Sequence, residues 1–198
     1  MKHSNVQGDF FSGIDLPYNL EESSSLYLKK ETLKNWQKSI QRYQSKLFQH
    51  GVNHSHQYSF FDPTNTEPLA KLDPLKLTPL PLNFWRWPKS DHNGPAIYLV
   101  MDKPKNNGCH LLLYIGETYA ADKRWKGEHD CKNYLIAYEE AFKKAGLSTQ
   151  LSIRFWTDVP KETKSRRKLE QQLIQEWLPP FNKETRNRWG TPFTSLTH

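Results

Sequence analysis

A carboxylate stands in this chain where an apolar residue belongs. Between Pro160 and Leu178 the apolar positions Leu169, Leu173, Ile174 and Trp177 follow the spacing of a helix with one buried stripe. Counting about 100° per residue from Glu170, Leu173 lies at about −60°, Trp177 at about −20° and Ile174 at about +40°. Glu170 is thus in the middle of the stripe, and an unpaired charge there is expensive. Arg166 or Arg167, one turn earlier, would neutralise it; so would a metal ion at the floor of a cleft. Two phenols are the second signal. Ala96–Val100 and Leu113–Glu117 are apolar runs of strand length that carry Tyr98 and Tyr114. The turn-forming stretch Pro104-Lys105-Asn106-Asn107-Gly108 between them predicts a β-hairpin holding the phenols about one strand apart. A tyrosine alone in a strand is a good sheet former and nothing more.

The elements that must position these groups are readable in order. A helix is expected over about 26–49, with Leu33, Trp36, Ile40, Tyr43 and Leu47 on one face and Gly51 as its stop. The same helix carries Lys34, Lys38, Arg42 and Lys46 at steps of four, a basic ridge whose mutual repulsion an anionic partner would relieve. Residues 63–88 hold six prolines among recurring leucines, which excludes regular helix or central strand and predicts an extended arm laid over a core. Its end, Phe84-Trp85-Arg86-Trp87, reads as an aromatic anchor. After the hairpin, Thr118 to about Lys126 reads as a helix with Lys123 and Arg124. A second helix spans about Lys132–Ala145 with Gly146 as its cap, and Leu151–Trp156 is a third strand. The last helix is expected from about Pro160, a good first-turn residue, to Leu178, before Pro179-Pro180.

The 198 residues suit one domain with an extension, or two small domains. A formal charge of +7 favours a polyanionic partner, and residues 95–198 carry most of it, with 17 Lys and Arg against 12 Asp and Glu. Two cysteines make no disulfide framework, and no apolar run reaches the ~20 residues of a membrane helix. The chain reads as soluble, reduced and cytoplasmic. His50, His54 and His56 lie among Asn, Ser and Gln, without the supporting ligands of a metal site. Cys109, His110, His129 and Cys131 follow no familiar zinc spacing, and Cys131 reads as a small apolar residue.

Taken together the ordered elements resemble the GIY-YIG nuclease superfamily over about residues 94–184. Ala96-Ile97-Tyr98 matches the first motif and Tyr114-Ile115-Gly116 the second. Arg124 follows ten residues after the second tyrosine, Glu170 lies on a late helix, and Asn182 stands twelve residues after it in Leu178-Pro179-Pro180-Phe181-Asn182. The chain departs from the family's pattern at three points. Ala96 replaces the first glycine. Glu117 stands where relatives commonly have Lys, so either Lys123 or Lys126 takes over the positive role or Glu117 helps hold a metal. The His or Tyr often found four residues after the arginine is matched in spacing by Glu128, with His129 one further.

The resemblance implies an α+β fold: a small three-stranded sheet flanked by helices over 95–184, preceded by an extension (1–94) and followed by a tail (185–198). It implies phosphodiester hydrolysis with a single Mg²⁺ or Mn²⁺ on Glu170. Tyr98 would act as base or orient the water, Tyr114 would position water or phosphate, Arg124 would donate to non-bridging oxygens, and His129 would take a proton from Tyr98. Lys123, Lys126, Asn182 and the ridge Lys34, Lys38, Arg42 and Lys46 complete the expected substrate contacts, Asn182 either there or fixing the end of the helix. The expected function is a DNA endonuclease of restriction type or acting in repair on duplex or branched DNA. The alternatives are a nucleic-acid-binding module without catalysis, motivated by Glu117 and the displaced His129, and a protein-interaction scaffold. A homodimer would suit a palindromic target, although no residue demands one.

Overall fold

The computed structural model describes residues 28–50, 72–84, 93–105, 108–121 and 130–192, with backbone only at His50 and Asp130. Its centre is an antiparallel sheet of three strands, β1 (Ala96–Asp102), β2 (Leu111–Thr118) and β3 (Leu151–Trp156), in the order β2-β1-β3. Every residue of β1 is buried, as befits a central strand covered on both faces. Among the described residues three helices accompany the sheet: α1 (Lys30–His50), α2 (Asp130–Lys144) and α3 (Thr163–Trp177). The expected α+β class and small sheet are therefore observed. Among the described residues no helix is long and apolar enough to cross a membrane.

The period-two alternation of the strands sorts the core into two layers. Ile97, Leu99, Met101, Leu112 and Ile115 face α3, where Leu169, Leu173, Ile174 and Trp177 form the anticipated stripe. Tyr98, Val100, Leu111, Leu113 and Tyr114 face the other way, toward Leu135, Tyr138 and Phe142 of α2 and Leu33, Trp36 and Ile40 of α1. The first helix thus shares the core of the sheet, and the boundary expected at 94/95 does not separate two cores.

The described part of the proline-rich stretch, 72–84, lies over the core as expected. Leu72, Leu82 and Phe84 are buried, and Leu80 pairs with Ile153 across the outer edge of β3, both hydrogen bonds being 2.8 Å long. The buried Arg154 donates to the carbonyls of Pro74 (2.7 Å) and Leu77 (3.3 Å), which ties the arm's short 3-10 turn to the sheet. Trp85 and Trp87 lie outside the described residues, as do Gly51, His54 and His56.

Three boundaries differ from expectation. Thr118 ends β2 and does not begin a helix: its Oγ1 accepts the Ala120 N–H (3.0 Å), a local turn that competes with helix. The last helix begins at Thr163, because the carbonyls of Pro160 and Lys161 are claimed by the Arg166 guanidinium at 3.2 and 2.9 Å. The stretch after 184 is not a free tail as far as 192. Arg186–Trp189 form a 3-10 turn, and the Trp189 Nε1–H donates to the Leu178 carbonyl (2.7 Å). Gly146 caps α2 as expected, in the left-handed conformation (φ 65°) with the Leu147 N–H returning to the Phe142 carbonyl.

Candidate functional site

The hairpin register explains the small residue of the second motif. Tyr98 is the Cα partner of Gly116, and its ring lies across that residue. A Cβ on Gly116 would fall 2.3 Å from both Cζ and Oη of Tyr98, so no other residue fits beneath the phenol. A β-bulge in β2 opposite Val100 and Met101 leaves Leu113 without a partner in register. Tyr114, two residues before Gly116 and opposite Val100, shares a sheet face with Tyr98 by the regular register on the near side of the bulge, their rings stacked at 5.9 Å and 26°. Tyr98 is fully buried; Tyr114 is only half-buried and forms part of a cleft wall.

That cleft, about 350 Å³, opens beside the outer edge of β2. Asn133 and Tyr134 of α2 line one side and Glu170 and Ile174 of α3 another, with Asn182, Lys183, Glu184 and Arg186 closing it. Among the described residues no fourth strand pairs with the edge of β2; other groups satisfy it in sequence. Gln44 takes both the N–H and the C=O of Leu112 (2.9 Å each), and the Phe181 N–H donates to the Leu113 carbonyl (3.0 Å). Asn182 takes both groups of Ile115, at 2.9 and 2.8 Å, and the Glu117 N–H donates to Glu170 Oε1 at 3.0 Å. Each is a polar group that would otherwise be buried unpaired or left as a template for a foreign strand.

Asn182 consequently has a different job from the expected substrate contact. It is buried and its amide is spent at both ends on Ile115, so it fixes the loop after α3 to the strand, which is the other role open to it from sequence. Phe181 anchors the same loop between Trp36 and Tyr134, stacked on them at 6.1 and 5.7 Å. Leu178 turns the chain out of α3 in the left-handed conformation (φ 47°).

Glu170 is half-buried, and burial is the main reason that its pKa is pushed up to about 7. The neighbouring carboxylates Glu117 and Glu184 raise it further, against the Glu117 N–H and the Arg167 guanidinium. The expected pairing with Arg166 or Arg167 is not made. Both guanidiniums turn to Glu117 instead: Arg166 Nε donates to its Oε2 at 2.9 Å and Arg167 Nε to its Oε1 at 3.1 Å. Glu117 is thus bound by two cations, Arg166 and Arg167, which compensate its charge; Lys123 and Lys126, the residues expected to do so, lie outside the described residues.

Of the other expected site residues, Lys123, Arg124, Lys126 and His129 lie outside the described residues. The ridge on α1 is real, but none of Lys34, Lys38, Arg42 and Lys46 lines the cleft. Lys34 and Lys38 instead border a hollow of about 210 Å³ with Phe142 and Leu147, at the far end of α2 from Tyr134. Eight residues of helix, about 12 Å, separate the two ends. Sequence reasoning missed Tyr134, Lys183 and Glu184 as cleft residues, since nothing in their local pattern marks them. Arg186, also in the cleft lining, is held by a hydrogen bond to the Tyr134 hydroxyl and lies 5.6 Å from that ring's centre.

Among the described residues no three His, Cys, Asp or Glu side chains gather as a ligand group. Cys109 is exposed, while Cys131 is buried as a small apolar residue. Compared with protein-family models, curated proteins and solved structures, the chain matches none.

Proposed function

We propose that this protein is a metal-dependent DNA endonuclease of the GIY-YIG type, acting in the cytoplasm on duplex or branched DNA. The observation that carries the reading is Glu170: a half-buried carboxyl with a pKa near 7, facing a cleft whose wall holds Tyr114 and whose rim holds Lys183 and Arg186. The donor set fits a hard divalent cation. Glu170 uses one oxygen on the Glu117 N–H, its other oxygen takes no hydrogen bond among the described residues, and Glu184 stands at the same cleft. Mg²⁺ and Mn²⁺ are satisfied by one or two carboxylates and several waters, for which the cleft has room. Bound there, such an ion would lower the pKa of a water and draw charge from a phosphate oxygen.

The chain's own groups do the rest. Tyr114 is the phenol that reaches the cleft, so in this reading it orients the attacking water or takes its proton. The base role expected of Tyr98 passes to it, and Tyr98, sealed behind, holds the Tyr114 ring by stacking and fills the space over Gly116. Arg186 and Lys183 offer donors to phosphate oxygens, Arg186 from a fixed orientation against Tyr134. Arg124, Lys123 and Lys126 retain the roles the resemblance implies, and His129 would take its proton from Tyr114 in place of Tyr98. Incubation with supercoiled plasmid, linear duplex and a branched junction, with and without Mg²⁺ or Mn²⁺, tests the proposal. Cleavage that needs the metal and is lost in Glu170→Ala is expected. Binding without cleavage on all three substrates would replace it with the non-catalytic module.

A further inference from the structure

Glu117, Arg166 and Arg167 form a triad in which one carboxylate holds two guanidiniums. The two arginines are not equivalent. Arg166 is completely buried and its donors are spent: Nε on Glu117, Nη1 on the Pro160 and Lys161 carbonyls, and Nη2 on the Thr163 hydroxyl. Arg167 is 68% exposed and commits only its Nε to Glu117, so among the described residues nothing takes its two Nη groups. It lies one turn before Glu170, close enough to act on that carboxyl electrostatically.

We propose that Arg167, which lies outside the cleft lining but one turn of α3 before Glu170, is a phosphate-gripping residue beside the cleft and that Glu117 is its positioning residue. The inference rests on the nuclease reading and deepens it. Charge supports it: the triad sums to one positive charge, the charge a lysine at position 117 would supply. The buried Arg166 cancels Glu117, and Glu117 in turn fixes the angle at which Arg167 presents its fork. A guanidinium so held keeps two parallel donors for the paired oxygens of a phosphate, at less loss of side-chain freedom than a mobile lysine.

The test compares Arg167→Ala, Arg167→Lys and Glu117→Gln with the wild type. Two readouts are used: plasmid cleavage with Mg²⁺, and the salt dependence of binding to a 20-base-pair duplex without metal. Arg167→Ala is expected to slow cleavage about tenfold or more and to reduce the salt slope by about one. Arg167→Lys should restore the slope but only part of the rate, and Glu117→Gln should not reduce the slope but should lose rate, since the Arg167 charge remains while its orientation loosens. The Arg167 variants should fold with melting curves that match the wild type, that side chain being exposed; Glu117→Gln removes the counter-charge of the buried Arg166 and should melt lower, so its cleavage is read well below its melting midpoint. Arg167→Ala that cuts and binds like the wild type overturns the proposal, as does Arg167→Lys that cuts at the full wild-type rate. A wild type that never cleaves removes the nuclease reading alone, and an unchanged slope in Arg167→Ala then removes the phosphate contact as well.

Discussion

Glu170 and Asp102 are two carboxyls that burial pushes up, to about 7 and about 6 respectively, and they are wired in opposite ways. Asp102 ends β1 and is completely buried. Its Oδ2 accepts the Tyr138 hydroxyl (2.6 Å) and its Oδ1 the Gln150 N–H (2.6 Å), while Gln37 Nε2 donates to the Tyr138 oxygen (2.6 Å). That chain ties α1, α2 and β1 together through the core. Glu170 has a single backbone donor and faces a cleft. The same departure from an ordinary carboxyl therefore marks a structural strut in one place and a candidate ligand in the other. What separates them is whether the remaining lone pairs are already satisfied, so a raised pKa alone does not identify a site.

Breaking each carboxyl should break a different property. Glu170→Gln is expected to reduce metal-dependent cleavage by about 10²–10³-fold, the scale of removing one preorganised electrostatic contact, while the melting curve stays close to the wild type. Asp102→Asn should leave cleavage within about threefold. Plasmid nicking assays on the two proteins side by side check both halves.

The second largest effect is on the pH dependence of stability. Asp102 has its pKa raised from 3.8 to about 6, so between those values the folded protein binds more protons than the unfolded chain. Its contribution to stability is full below pH 3.8 and is lost as pH rises through about 6, by on the order of 3 kcal/mol. Glu170 acts in the same direction, between 4.5 and about 7. Urea denaturation at a series of pH values should show stability falling over this window through these two groups. Asp102→Asn should flatten the lower part of the fall and Glu170→Gln the upper part.

The comparison also explains what the sequence could and could not reveal. Helix periods and apolar runs located α1, α2 and all three strands to within a few residues, because the helices bury one clear apolar face and the strands are buried along most of their length. Glu170 stood out because it interrupts such a face. Asp102 did not, although it is more buried, because its partner Tyr138 and, behind that, Gln37 lie 36 and 65 residues away on elements that meet only in three dimensions. Glu117 was visible as an odd residue, but its neutralisation by Arg166 and Arg167 depends on α3 crossing the end of β2. The start of α3 was misplaced for a related reason: Arg166 bonds carbonyls at the helix entrance that local propensity assigns to the first turn. Asn182 and Gln44 could be read as polar residues, but their work as stand-ins for a fourth strand could not.

Tyr138→Phe sharpens the contrast within the structural network. It strips Asp102 Oδ2 of its donor in a site without solvent, and it leaves Gln37 Nε2 without its acceptor. A loss of about 1–3 kcal/mol is expected from the orphaned groups, read as a lower urea midpoint with an unchanged slope. Asp102 loses a hydrogen bond that favours its charged form, so its pKa should rise further and the pH window should move upward.

The smallest effect should come from the outermost link. Gln37→Leu removes the hydrogen bond to Tyr138 but replaces a buried amide by an apolar side chain of similar size, on a face already packed against the core. Tyr138 keeps its bond to Asp102, so no buried charge is left without a donor. The expected loss is about 0.5–1.5 kcal/mol, the net worth of one hydrogen bond. In a double-mutant cycle with Tyr138→Phe the two losses should not add, because Gln37 has no hydroxyl left to serve once the phenol is gone. Strict additivity would mean that Gln37 stabilises the core by packing alone, and that the chain effectively ends at Tyr138.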